Sequence, residues 1–131
     1  MTALTADGLA FVTAYHLAVL STFGPDGGIH AVPVGFTFEP SDDTVRIITG
    51  GGTRKAWNIR RTGYASVSQF EGARWLSLSG PAVVDDDPDA VADAVARYAR
   101  RYRQPRVNPE RVVLRMSVQK LMGSAGLRNH P

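Results

Sequence analysis

Short runs of apolar and β-branched residues, broken by compact turn sequences, constrain this chain more than any other feature. Gly24-Pro25-Asp26-Gly27-Gly28 separates a run at residues 17–23 from one at 30–38, and Glu71-Gly72-Ala73 separates runs at 64–70 and 74–84. Glycine, proline and aspartate supply the dihedral angles and local hydrogen bonds of a chain reversal. The run at 30–38 also alternates large and small residues with the period of two that a strand imposes. Each pair of runs is therefore predicted to form a hairpin. A further turn at 39–43 leads into β-branched residues 44–49. Near the C-terminus Val112, Leu114, Met116 and Val118 alternate with Arg111, Val113, Arg115 and Ser117, a last strand with one core face. Strands joined by hairpins build an antiparallel barrel rather than a wound parallel sheet. The chain also lacks a G-x-G-x-x-G or P-loop pattern and has no paired histidines at helical metal spacing.

Three helices are expected between the strands. Thr5 reads as an N-cap, with Leu4 and Leu9 spaced as a hydrophobic staple and Asp7 in the first turn, giving a helix to about residue 15. Thr53 is placed to cap a helix through Arg61 that Gly63 ends. Asp87 and Pro88 start a third, whose residues Val91, Ala94, Val95, Tyr98 and Tyr102 recur on one core-facing stripe. Beyond Lys120 the pattern assigns no element.

The 131 residues are read as a single domain, 1–131, with 44% hydrophobic and 21% charged residues, inside the globular range. The absence of cysteine excludes disulfides, thiolate nucleophiles and cysteine-ligated metals, and fits a reducing cytoplasm. The apolar stretch at 9–23 has no basic flank and is interrupted by Thr13, His16 and Ser21, so neither export nor membrane anchoring is expected. Net charge is only +3, but residues 1–45 carry five acids and no Lys or Arg, while residues 46–131 carry fifteen bases and seven acids. The bases are densest at Arg54, Lys55, Arg60 and Arg61, and at Arg97, Arg100, Arg101, Arg103 and Arg106. The second group follows acids at 85–89 in the order that the helix dipole favours, so a solvated helix face explains it; no nucleic-acid partner is expected.

The first group is different. Gly50-Gly51-Gly52-Thr53-Arg54-Lys55 runs from a glycine loop into a helix whose first positions are basic. Cations there oppose the dipole at a cost of about 0.3–1 kcal/mol each, unless an anion such as a phosphate rests on the free N–H groups. Two side chains bent into solvent are the competing explanation. Just upstream, Ala31, Pro33 and Gly35 share one face of a predicted strand, a shallow surface on which a flat ring can approach the backbone. A proline-protected edge strand explains the same residues.

Taken in order, residues 30–38, the phrase Thr49-Gly50-Gly51-Gly52-Thr53-Arg54-Lys55-Ala56-Trp57-Asn58 and the phrase Gly72-Ala73-Arg74-Trp75-Leu76-Ser77-Leu78-Ser79-Gly80 resemble the pyridoxamine-phosphate-oxidase-like split β-barrel superfamily. The likeness runs from about Leu9 to Gly126. Val34-Gly35-Phe36-Thr37-Phe38, residues 72–78 and residues 97–103 are similar to the F-420-dependent branch, and most to the actinobacterial biliverdin reductases. The resemblance implies a mainly β fold, an antiparallel six- to seven-stranded split β-barrel with flanking short helices, in a homodimer. It implies reduced coenzyme F-420 as hydride donor and a small-molecule substrate of the linear tetrapyrrole kind, biliverdin or a similar conjugated molecule.

Carried over by position, His30, Ala31, Val32, Pro33 and Val34 line the deazaflavin ring and ribityl chain, and Ile48, Thr49, Gly50 and Gly51 form the next wall. Arg54, Lys55, Ala56 and Asn58 hold the phosphate region, where the family often has Ser in place of Thr53. Gly72, Ala73, Arg74 and Trp75 reach the cofactor of the partner subunit, or Trp75 simply fills the dimer interface. Hydride transfer asks little of side chains, because the cofactor carries the reactive atom. No catalytic residue is assigned; His30 and the arginines are candidates to supply a proton or hold propionates. Two rivals stay open: an FMN enzyme on the same barrel, and a non-catalytic flavin- or haem-binding module.

Overall fold

The computed structural model describes residues 3–129. Eight strands form the framework: β1 (Ala18–Phe23), β2 (Ile29–Val34), β3 (Thr37–Glu39), β4 (Thr44–Gly50), β5 (Tyr64–Glu71), β6 (Arg74–Asp85), β7 (Arg111–Ser117) and β8 (Lys120–Gly123). Their order is β2-β1-β5-β6-β7-β4-β3, with β8 paired to β6, and every pairing is antiparallel. Both predicted hairpins are present, with Phe23 opposite Ile29 and Glu71 opposite Arg74. β6 is long enough to serve two neighbours in turn, β5 up to Pro81 and then β7 from Ala82. The two edges of the sheet, β2 and β3, are consecutive in the chain, so the sheet curls until its ends meet at Gly35 and Phe36. Alternate residues of the strands, among them Leu20, Val67, Leu76, Leu78, Val45, Ile47 and Leu114, fill the interior with Phe36 and with Ala56 and Ile59 of the helix after β4.

The run at 30–38 is therefore not one strand. Phe36 is fully buried, and Tyr102 and Arg101 take its backbone groups away from the ladder. Its N–H donates to the Tyr102 hydroxyl at 3.1 Å, and its carbonyl accepts from the Arg101 guanidinium. A side chain at Gly35 would meet the Tyr98 and Tyr102 rings at 2.9–3.0 Å. The break is set by residues more than sixty positions away.

Helix α1 (Ala6–Phe11) begins as expected, with the Thr5 hydroxyl accepting from the Gly8 N–H at 3.0 Å, but stops four residues short of the predicted end. The Thr13 hydroxyl takes the Leu9 carbonyl, while Arg101 and Tyr102 hold the carbonyls of Ala14 and His16. Helix α2 (Arg54–Thr62) ends on Gly63 in the left-handed region, φ 69°, whose N–H returns to the Ile59 carbonyl. Helix α3 (Pro88–Arg101) is capped by the Asp87 carboxylate on the Ala90 N–H. Its stripe holds one surprise: alongside Ala94, the most deeply buried residue is Arg101, 9% exposed. The arginines of α3 are thus not a solvated face throughout. β7 is buried on both sides, because α3 packs on the face carrying Val113. The chain past residue 120 adds β8 and a 3-10 turn (Ala125–Leu127) that packs against α1. Among the described residues no helix is long and apolar enough to cross a membrane, and no cluster of His, Asp or Glu can hold a metal.

Candidate functional site

A cleft of about 250 Å³ opens where the curled sheet meets α3. Its walls are Pro33 and Val34 at the end of edge strand β2, Gly35, Ile48 to Gly50 at the end of β4, and Lys55 in the first turn of α2. Tyr98 of α3 and Pro105, Asn108 and Arg111 of the α3–β7 segment close the far side. The glycine loop and the shallow strand face, which sequence nominated separately, thus belong to one cavity. β2 turns Ala31 and Pro33 outward and Val34 into the core, and as an edge strand it has no partner on its second side.

The electrostatics of the α2 end are one-sided. Thr53 has N-cap dihedrals, φ −73° and ψ 157°, but its hydroxyl does not cap the helix; it donates to the Gly50 carbonyl at 3.0 Å and lies 3.2 Å from the Thr49 hydroxyl. The first-turn N–H groups are left without a side-chain acceptor. Lys55 is half-buried, and desolvation pushes its pKa below the ordinary lysine value. The four ion pairs among the described residues are Arg46–Asp93, Arg97–Glu39, Arg97–Asp93 and Arg115–Asp85; none involves Lys55. No acidic residue lines the cleft. An uncapped helix start beside a desolvated, unpaired cation is a seat for an anion; Arg54, the preceding residue of α2, is exposed and does not line the cleft.

The remaining nominated residues lie elsewhere. His30 and Val32 sit on the face of β2 opposite Pro33; Val32 packs on the core, and His30 Nδ1 is buried without a hydrogen-bond partner. Gly51 is engaged by the protein, its N–H on the Glu110 carbonyl and its carbonyl on Arg60. The side chains of Ala56 and Asn58 are fully buried beneath α2, and Asn58 Nδ2 donates to the Thr22 hydroxyl at 3.1 Å. Gly72 and Ala73 form the β5–β6 turn, Arg74 and Trp75 open β6, and none of the four lines the cleft; Arg74 lies over the Phe11 ring, and Trp75 is 41% exposed. Conversely, sequence reasoning did not nominate Tyr98, Pro105, Asn108 or Arg111. The signal available was pairing of the last strand with β4, which sets Arg111 opposite Gly50.

Comparison with known proteins agrees with the fold. The family model described as pyridoxamine 5'-phosphate oxidase matches residues 4–123. The chain is 52% identical over 126 residues to the F-420H(2)-dependent biliverdin reductase of Mycobacterium tuberculosis, covering 96% of this chain and 92% of that protein. Among solved structures, the conserved hypothetical protein Rv2991 of M. tuberculosis superposes with a TM-score of 0.79 at 22% identity, covering 94% of this chain and 87% of its own. A structure described as F-420 reductase gives 0.71 at 18% identity, covering 86% and 94%. The sequence resemblance and the fold meet here: this chain belongs to the pyridoxamine 5'-phosphate oxidase family.

Proposed function

We propose that this protein is a reductase that uses reduced coenzyme F-420 and acts on biliverdin or a similar linear tetrapyrrole. The observation that carries the reading is the Lys55 end of the cleft, where a half-buried cation with no counter-charge meets an uncapped helix start beside an exposed strand face. Relationship at 52% identity to an F-420H(2)-dependent biliverdin reductase supports the choice of coenzyme and substrate. When bound, the deazaflavin supplies a hydride, here for the central methine carbon of the tetrapyrrole. The protein's own part is placement. Pro33 and Val34 support one side of a planar ring, and Ile48 and Thr49 the other wall. Lys55, Arg54 and the N–H groups of α2 take the phosphate. Pro33 cannot donate to a ladder, so the strand edge stays open to the ring.

The site is completed by a second copy of the chain. The outer face of the β2-β1-β5-β6-β8 half of the sheet leaves Phe23, Ile29, Tyr64, Phe70, Trp75 and Met122 at 39–64% exposure, apolar side chains sharing one face as an interaction surface does. A homodimer through this face gives Gly72, Ala73, Arg74 and Trp75 a role at the partner's cleft. Sedimentation as a monomer at micromolar concentration excludes it. A cytoplasmic location is part of the same reading and is supported by the absence of cysteine.

The deciding experiment mixes purified protein with reduced F-420 and biliverdin and follows both absorbances. Oxidation of F-420 coupled to loss of biliverdin is expected. Protein that neither binds nor oxidises F-420, and that takes up FMN in a parallel titration, overturns the reading.

A further inference from the structure

Lys55 is not the only unpaired cation in the cleft. Arg111 opens β7 directly across the ladder from Gly50 and lines the same cavity. One of its N–H groups donates to the Arg106 carbonyl at 2.7 Å, and none of the four ion pairs includes it. Beside it Asn108 forms a tight local turn, its Oδ1 accepting from the Glu110 N–H at 3.0 Å and its carbonyl from the Arg111 N–H at 3.1 Å. The acceptors of Asn108 are thus used by the protein, whereas its Nδ2 donors remain. They point to Gly50: a Cβ there would lie 3.7 Å from Asn108 Nδ2 and 3.7 Å from the Thr53 methyl. Donors from β7, from the preceding loop and from the start of α2 therefore converge on the glycine loop, without an acid on any wall.

Two cations without an acidic partner in one cleft exceed what one phosphodiester neutralises. We propose that Arg111 and Asn108 form a second oxyanion seat, for a carboxylate, next to the phosphate seat at Lys55. The planar guanidinium and the side-chain amide match the two oxygens of a carboxylate. The inference rests on the cofactor reading of the cleft. Two sources carry the required group: the acidic tail that follows the phosphate of F-420, and the propionates of a bilin.

Fluorescence titration of the deazaflavin tests the cofactor source without relying on turnover, and steady-state kinetics with biliverdin test the substrate source. Three ligands are used: glutamylated F-420, the same nucleotide ending at its 5'-phosphate, and the riboside lacking both. Arg111→Ala is expected to raise the Kd of F-420 by about tenfold or more, the usual size for a charge-assisted hydrogen bond. The other two ligands should be unaffected, and Arg111→Lys should restore part of the loss. If the Kd of F-420 holds but the KM for biliverdin rises about tenfold, with no change for its dimethyl ester, the seat serves the substrate's carboxylate. Equal weakening of F-420 and the phosphate-only ligand makes Arg111 a phosphate ligand and overturns the proposal. So does equal weakening of all three, the mark of a disturbed loop, or no change in either Kd or KM. Wild-type protein that binds none of the three removes the cofactor reading itself, and this inference with it.

Discussion

The start of α2 and the end of α3 are both rich in basic residues, yet the protein treats their charges in opposite ways. On α3 Arg97 and Arg101 are consumed internally. Arg97 donates to Glu39 and Asp93 at 2.8 Å each, and Arg101 donates to the Ala14 carbonyl, the Phe36 carbonyl and Gln69 Oε1 while lying over the Phe36 and Tyr102 rings. At α2, Lys55 faces a cavity and finds nothing. Both ends carry positive charge; partner supply differs. A cluster of bases signals a ligand only where the fold withholds internal acceptors, and this is visible only once the strands are paired.

The largest effect should come from breaking the internal side of that contrast. Arg101 is a buried cation balanced by neutral acceptors and ring faces, and desolvation pushes its pKa down. Arg101→Ala strands Gln69 Oε1 and weakens the hold on Phe36 at the meeting point of the sheet's edges. A loss of about 3–4 kcal/mol is expected in urea denaturation, from stranded acceptors at about 1–3 kcal/mol each. Arg101→Lys should recover only a minor part, because an ammonium cannot serve three acceptors in that fork geometry. A loss below about 1 kcal/mol would mean that α3's buried charge is incidental.

Lys55→Ala tests the other side, with smaller and opposite consequences. Folding stability should hold or rise by about 0.3–1 kcal/mol, since a cation leaves the positive end of a helix dipole. Binding of F-420 should weaken by about 1–3 kcal/mol. The pH dependence has a defined sign. Burial lowers the Lys55 pKa in the empty cleft and a bound phosphate favours the ammonium. Affinity therefore holds below that lowered pKa and falls as pH rises past it, and the fall is absent in Lys55→Ala. Parallel loss of stability and binding would erase the distinction between the two helices.

How much of this was legible follows from the range of the interactions. The hairpins were, because Gly24 to Gly28 and Glu71 to Ala73 determine their own geometry locally. So was the glycine loop entering α2; its sharing of one cavity with Pro33, Val34, Ile48 and Thr49 is the work of the fold. The break between β2 and β3 was not, because the groups that impose it, Arg101 and Tyr102, lie on α3. Nor was the burial of Arg101, since dipole complementarity already accounted for an arginine there. Asn58 was nominated from its place in a phrase, but helical periodicity turns its side chain to Thr22 and the core. The wall formed by Asn108 and Arg111 has no local signature; the β4–β7 ladder brings it to the cleft.

The smallest expected effect sharpens the comparison at its weakest point, the more exposed charges of α3. Arg97 donates to Glu39 Oε1 at 2.8 Å and the Ser41 N–H to Oε2 at 3.0 Å. Together, with Arg97 the larger influence, they hold the Glu39 carboxyl at about 2 against an ordinary 4.5. A pKa lowered on folding means that the native state binds fewer protons. The stabilisation is therefore complete above about 4.5 and disappears as pH falls towards about 2. Glu39→Gln should flatten the acid limb of a stability profile in that window, by about 0.2–1 kcal/mol because both partners touch solvent. High salt should shrink the difference further. Superimposed profiles for Glu39→Gln and wild type would mean that Arg97 is solvated in practice. Only Arg101 would then separate α3 from α2, and the contrast would be one of burial rather than of charge pairing.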